Sequence, residues 1–389
     1  MKNTPNDSEF IDYKTLLSSY TEEEHHLRAE NYFANIADPE FLIAKPFYLY
    51  QGASSLLGNF AALLHGLDLY PGCDILDFAA GTGWTSRIFA QMGCNVTSTD
   101  VSQSALLIAR RMLDTYPLIG SFGQLKFLSS EHMNTLDRES FDRITIMDGF
   151  HHIADQLQLL KDFFRLLRPG GYVVMSEPGR AHSSTPQAQS EMRQFGVLER
   201  DLLVEEIEVM ANTVGFSESS YAIFNPIPTF YSINHFTCIF EEHSKTVSKL
   251  TENYMQNHNL IRLRKPGEEI IDSRRGVGLS ATVSIGDFSD TFRISILNSG
   301  TSTWLPSGTL VGSVNLGIST VEETGIIRVR GERVLPISDK FVKPGQSISI
   351  EVLKRDLGSL GPTIELDLVA EKVVWFGQLT GSVKRISLS

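Results

Sequence analysis

The 389 residues predict two domains of different class, a doubly wound α/β sheet over the first two thirds and an all-β sandwich over the last. Three observations carry this expectation. Apolar strand-like runs alternate with helical ones between residues 74 and 215, the pattern of a parallel sheet covered on both faces. From Leu279 onward the apolar period drops to two, and turn residues punctuate it. The length also exceeds what one ordinary hydrophobic core fills.

Taken in order, residues 1–70 form a helical region expected to cover the active site. Leu56, Phe60, Leu63 and Leu64 recur at helical spacing, and Pro71-Gly72 ends the run. The α/β domain is expected over 71–262. Asp74–Phe78 reads as a buried strand, Trp84–Met92 as a helix and Asn95–Thr99 as a second strand. A helix follows over Ala105–Leu113, then short strands at Leu125–Leu128 and Arg143–Met147. Leu157, Leu160, Phe163 and Leu167 mark a helix face that ends at Pro169-Gly170-Gly171, and Tyr172–Met175 is the next strand. Asp201–Thr213 is helical again, closed by Gly215. Val247, Leu250 and Tyr254 share the face of a last clear helix. Residues 263–277 read as a linker, and the basic segment Arg262, Arg264, Lys265, Arg274 and Arg275 around it as solvated charges. In the sandwich domain, 278–389, Val283 and Ile285 alternate with polar residues. So do Phe292, Ile294 and Ile296, and later Ile364, Leu366 and Leu368.

Bulk properties narrow the function. A formal net charge of −12 repels polyanions, so no nucleic-acid partner is expected. Cys73, Cys94 and Cys238 are odd in number and far apart, which gives neither a disulfide framework nor a zinc site. Met1-Lys2-Asn3-Thr4-Pro5 lacks the apolar run of a signal peptide, and no segment has the length of a membrane span. A cytoplasmic chain is therefore expected.

The chemistry concentrates at Asp77-Phe78-Ala79-Ala80-Gly81-Thr82-Gly83-Trp84, which follows an apolar strand and opens a helix. Gly81 and Gly83 let the backbone pass close to a ligand in conformations that a Cβ disfavours. A second strand ends at Asp100, where a carboxylate can accept both hydroxyls of a ribose. Dinucleotide folds place a third glycine three residues after the second, but Ser86 stands there. Asp77, just before the turn, would repel a pyrophosphate and attract an ammonium or sulfonium.

These residues resemble the first motif of the class I S-adenosylmethionine-dependent methyltransferases, an acid followed by x-G-x-G-x-G, with Ala79 in place of the first glycine. The resemblance implies a Rossmann-like α/β domain that binds S-adenosyl-L-methionine. In it, Asp77, Ala79, Gly81, Gly83 and Trp84 would flank the methionine part. Asp100 and Val101 would hold the ribose, and Glu131 and His132 would lie near the adenine. The stretches Ser176–Ser183 and Phe195–Asp201 look like a bacterial subgroup associated with surface-polysaccharide genes.

The fourth strand ends in Met147-Asp148-Gly149-Phe150-His151-His152, and its carboxyl end faces the reacting group in this fold. Asp148 is assigned to the cofactor side. His151, His152 and Glu177 are the catalytic candidates, because transfer to a hydroxyl requires a group that removes its proton. No metal ligands are assigned. Asp148-Gly149-Phe150 lacks the Pro-Pro-aromatic clamp of amide and exocyclic-amine methylases, and no cysteine follows a proline as cytosine C5 chemistry requires.

The tail, with Asn298–Trp304, Glu365–Val369 and Val374-Trp375-Phe376, resembles the immunoglobulin-like module appended to bacterial methyltransferases and glycosyltransferases of polysaccharide assembly. Trp304 and Trp375 read as core tryptophans. The expected function is O-methylation of a sugar or polysaccharide intermediate, with a glycan or partner protein contacting residues 278–389. The alternatives are a small-metabolite methyltransferase and a non-catalytic glycan-binding protein that senses the cofactor.

Overall fold

A computed structural model describes residues 10–36, 39–47, 50–115, 124–224, 244–322, 324–327, 329–357, 360–381 and 383–388. Cys238 lies outside these residues, as does the side chain of Val247. The chain divides into two compact units, one drawn from residues 1–69 and 73–269, the other from 70–72 and 270–389.

Four helices open the first unit: α1 (Tyr13–Ser19), α2 (Glu22–Ala34), α3 (Pro39–Ile43) and α4 (Tyr50–Leu67). Thr21 and Glu24 close a capping box at the start of α2. Then come β1 (Asp74–Phe78), α5 (Trp84–Gln91), β2 (Asn95–Asp100), α6 (Gln103–Thr115) and β3 (Gln124–Ser129). They are followed by β4 (Phe141–Met147), α7 (Gln156–Leu166), β5 (Leu167–Pro178), α8 (Pro186–Phe195) and α9 (Val204–Val214). The unit closes with β6 (Glu218–Tyr221), α10 (Ser244–Asn257) and β7 (His258–Arg264).

The strands form one sheet in the order β3-β2-β1-β4-β5-β7-β6. The first five are parallel, but β7 runs antiparallel to both β5 and β6. The expected all-parallel sheet is thus corrected to a mixed one. The chain returns through α10 and inserts β7 between two strands already made. The inner strands are covered on both faces: in β4 every residue from Phe141 to Ile146 is buried, Asp142, Arg143 and Thr145 included. Phe163 and Leu160 of α7 and Ile207 of α9 pack with Leu76, Ile144 and Met175 from the strands.

The expected linker also needs correction. Leu263 and Arg264 belong to β7. Lys265 is buried, its ammonium donating to the carbonyl of Leu167 at 2.7 Å and pairing with Glu139 at 3.2 Å. A long stem laid on apolar surface with its head satisfied is a packed residue, not a solvated one. The boundary between the units falls after residue 269.

The second unit holds two antiparallel sheets. One contains β10 (Val314–Thr320), β11 (Arg333–Pro336), β13 (Thr363–Ala370), β14 (Val374–Trp375) and β15 (Lys384–Ser387). The other contains β8 (Ala281–Asp287), β9 (Thr291–Asn298) and β12 (Ser347–Leu353). Ile294 and Ile296 of the smaller sheet share a core with Leu316, Ile318, Leu366 and Leu368 of the larger. Trp304 is fully buried in that core, against the ring of Phe376 at 5.5 Å. Trp375 is half-buried, and its ring lies over Gly317 and Gly331, where a Cβ would collide with it.

Candidate active site

The carboxyl ends of β1, β2 and β4 open into a cavity of about 870 Å³. Its far wall comes from the N-terminal helices, through His25, Tyr32 and Phe33 of α2 and Leu56 and Asn59 of α4.

The turn after β1 is built on left-handed backbone. Ala79, Gly81 and Gly83 have φ of 53°, 54° and 70°. Ala79 carries a Cβ in that region, at a cost of roughly 1 kcal/mol. Its neighbour across the turn is Gly149, where an added Cβ would come within 2.8 Å of the Ala79 methyl. Asp77 is buried, and its Oδ2 accepts the hydroxyls of Thr85 at 2.7 Å and Ser86 at 2.6 Å. Ser86, in the place of a dinucleotide fold's third glycine, therefore orients this acid. Asp100 is buried as well. Its Oδ2 accepts the Gly81 amide at 2.8 Å, and its Oδ1 accepts the Ser102 amide at 2.9 Å. The two hydroxyls occupy both lone pairs of Asp77 Oδ2, so a ligand would meet its Oδ1. Burial pushes both acids up to about 6, and each has a neighbouring carboxylate adding to the rise, Asp100 for Asp77 and Glu30 for Asp100.

Ten of the thirteen residues singled out in the sequence line the cavity. On its cofactor side these are Asp77, Ala79, Gly81, Trp84, Asp100 and Val101, joined by Glu131, Asp148, His151 and His152. Trp84 packs on Phe60 at 4.9 Å between ring centroids. Gly83 caps α5 behind the wall. His132 is corrected: in the turn after β3 it is exposed and off the cavity wall, while Glu131, Met133 and Asn134 reach the wall.

The acceptor side is a cluster of imidazoles and carboxylates. Glu177, at the end of β5 and fully buried, accepts the amides of Gly149 and Phe150 at 2.9 Å each. Its other oxygen meets His151 Nδ1 at 2.8 Å. His151 Nε2 lies 3.5 Å from Glu199 Oε2, and His182 Nε2 lies 2.7 Å from that same oxygen. The His152 ring stacks 3.9 Å from that of His151, and its Nδ1 is 2.6 Å from the Leu198 carbonyl. A carbonyl only accepts, so Nδ1 carries the proton and Nε2 is left as the basic nitrogen.

Burial alone would depress His151, but Glu177 and Glu199 override it and raise the imidazole to about 10. Burial and the His151 charge lower His152. Burial opposes ionisation of Glu177 and Glu199, yet the imidazoles beside them hold both below the usual carboxylate range. Burial, reinforced by Glu199, raises Glu191 on the same wall. Burial lowers Lys45 across the cavity, against the pull of Asp148 and Glu191.

Residues 76–175 match the family described as a methyltransferase domain. That segment is similar to methyltransferase domains. It is similar to the demethylmenaquinone methyltransferase of Mycobacterium sp. (strain JLS), 30% identical over 155 residues, which are 40% of this chain and 59% of that protein. It is also similar to the ubiquinone biosynthesis O-methyltransferase of Hydrogenovibrio crunogenus, 28% identical over 164 residues, 39% of this chain and 66% of that one. The chain spans less than two thirds of the length of these curated relatives. Among solved structures, phosphoethanolamine N-methyltransferase 2 of Haemonchus contortus in complex with S-adenosyl-L-methionine aligns with a TM-score of 0.40 at 18% identity. The alignment covers 60% of this chain and 61% of that one. The matched residues run from β1 into β5 of the mixed sheet, and no described helix is long and apolar enough to cross a membrane.

Sequence reasoning missed Glu199, Glu191, Lys45 and Glu30. Glu199 stood within a stretch noted only for its resemblance to a subgroup, and nothing in its spacing ties it to histidines 47 and 48 positions earlier.

Proposed function

We propose that the chain transfers a methyl group from S-adenosyl-L-methionine to an oxygen of a polar, hydroxyl-bearing acceptor, with a sugar or polysaccharide intermediate the favoured class. One observation carries the donor. Two buried acids, Asp77 and Asp100, flank a left-handed turn and have only neutral hydroxyls and amides on their oxygens. Such a pair favours a ligand with an ammonium, a sulfonium and a ribose, and disfavours a pyrophosphate. Asp77 serves the methionine end with Ala79, Gly81, Gly83 and Trp84. Asp100 and Val101 serve the ribose, Glu131 the adenine edge, and Asp148 the reacting end.

Methyl transfer to oxygen is an in-line displacement. The new O–C bond forms as the C–S bond breaks, its electron pair stays on sulfur, and the hydroxyl proton must leave. His152 Nε2 takes that proton, because its tautomer is fixed by Leu198. His151 is held between Glu177 and Glu199 and positions His152 against the cavity. Glu177 is thus a positioning residue. The polar acceptor wall, faced by Tyr32 and Phe33, suits a ring that presents both hydroxyls and C–H faces.

The names of the curated relatives favour a second reading, a quinone precursor as acceptor, methylated on oxygen in the case the ubiquinone relative's name describes. We assign residues 1–70 as the cover of the site. The tail is assigned as an immunoglobulin-like sandwich that contacts a glycan or partner protein and does no chemistry. The deciding experiment incubates the protein with methyl-labelled S-adenosylmethionine and separate pools of cell glycans, nucleotide sugars and quinone precursors. Label in the sugar pools supports the first reading and label in the quinone pool the second. Label in neither, with no S-adenosylhomocysteine released, overturns both.

A further inference from the structure

We propose that His151, His152 and Glu199 form a binding site for one divalent first-row transition cation, of the zinc or ferrous class. One donor atom from each lies within 4.8 Å of the others. Two of the donors are already aimed by a partner behind them. Glu177 takes the Nδ1–H of His151, which turns Nε2 toward Glu199. In His152 it is Nδ1 that stands nearest Glu199, 3.6 Å from Oε1, and the Leu198 carbonyl holds that same nitrogen at 2.6 Å. His182 holds Glu199 Oε2 at 2.7 Å. Metal-binding histidines and carboxylates carry this outer layer of hydrogen bonds, which fixes tautomer and direction.

Two further details point to a cation. His151 Nε2 and Glu199 Oε2 are 3.5 Å apart, long for a charged hydrogen bond. Donors around a tetrahedral metal at about 2.0–2.1 Å sit about 3.4 Å from one another. Glu199 Oε1 is the second detail: in a side chain 2% exposed it makes no hydrogen bond among the described residues, its ion-pair partner His152 Nδ1 standing 3.6 Å away. Two imidazoles and one carboxylate are a donor set for zinc or iron, and three protein ligands leave a position open. His151, His152 and Glu199 all line the cavity, so a hydroxyl or water in that position would face the acceptor space. Methyl-donor binding uses other residues, so donor binding and cation binding can fail separately; at His152 the two roles are alternatives, because a nitrogen that ligates the cation no longer serves as the base.

The test uses the full chain, stripped with a chelator and titrated with cobalt(II) as a spectroscopic probe. One equivalent should bind with a visible ligand-field band of low-coordinate cobalt, and zinc should displace it. His152→Gln and Glu199→Gln should abolish the band. Glu177→Gln should weaken cobalt affinity about 10–100-fold. Calorimetry with S-adenosylmethionine on each variant reports whether the fold persists. No saturable band in a chain that still binds S-adenosylmethionine would overturn the site. So would unchanged cobalt affinity in both His152→Gln and Glu199→Gln.

Discussion

At the scale of single residues, Asp77 and Asp100 set the balance between stability and binding. Both are raised from 3.8 to about 6 by burial, a shift worth roughly 3 kcal/mol per site. The folded state holds these protons more tightly than the unfolded chain. Stability is therefore greatest below the unfolded value and falls as pH rises from about 4 to about 6. Above pH 6 the cost of two buried anions is carried in full. Asp77→Asn, whose amide oxygen can keep both the Thr85 and Ser86 hydroxyls, should raise the melting temperature at pH 7 while weakening S-adenosylmethionine binding at least tenfold. A thermal scan paired with calorimetry checks both signs. Cofactor affinity should also weaken as pH drops through 6, as the acids that meet the sulfonium and ribose become neutral. The glycine turn and both acids were legible because their chemistry is local: strand, turn and acid follow within a few residues. Glu199 was not legible, because a loop brings it to His151 only after folding.

Elements show the same division. α7 was read from the spacing of Leu160 and Phe163, and both are fully buried against β4 and β5. Phe163→Ala should cost about 3–5 kcal/mol, measurable by urea unfolding, because it leaves a cavity between helix and sheet. β7 was hidden: Leu260, Ile261 and Leu263 fit a strand, yet nothing local says that the strand runs backward between β5 and β6. Helix α2 carries a prediction of its own. Glu30 accepts the Ser102 hydroxyl at 2.7 Å, and the Ser104 hydroxyl and amide at 2.6 and 3.1 Å. That clasp joins the N-terminal helices to the start of α6, two residues past Asp100. Burial works against the Glu30 anion, but the Ser104 and Ser102 bonds hold its pKa low. Its contribution is therefore present at neutral pH and fades in acid. Glu30→Ala should speed S-adenosylmethionine release several-fold in stopped-flow experiments while leaving the sheet intact.

For the whole molecule, the change of hydrophobic period near residue 279 told the two units apart, because helices and strands bury their faces at different intervals. The boundary at 269/270 was less legible, since the charges of Arg264 and Lys265 look like solvent-facing residues until their packing is seen. Each unit owns a core: Ile144, Phe163 and Met175 in one, Ile294, Trp304 and Leu366 in the other. Deleting residues 270–389 should therefore leave S-adenosylmethionine affinity within about twofold, by calorimetry on the remaining chain. A loss of binding in a truncated chain with normal helical circular dichroism would tie the tail to the donor site.

The close approach of Ala79 and Gly149 makes the two positions epistatic. Gly149→Ala alone pushes one methyl into another in the tightest part of the turn. Paired with Ala79→Gly, the same change meets open space on that side, with only the Ile146 side chain left to yield, 3.2 Å from the new methyl. A thermodynamic cycle over the four combinations should give a favourable coupling of about 1–2 kcal/mol. Homologues with glycine at the first position should then tolerate alanine at the second more often than this chain does.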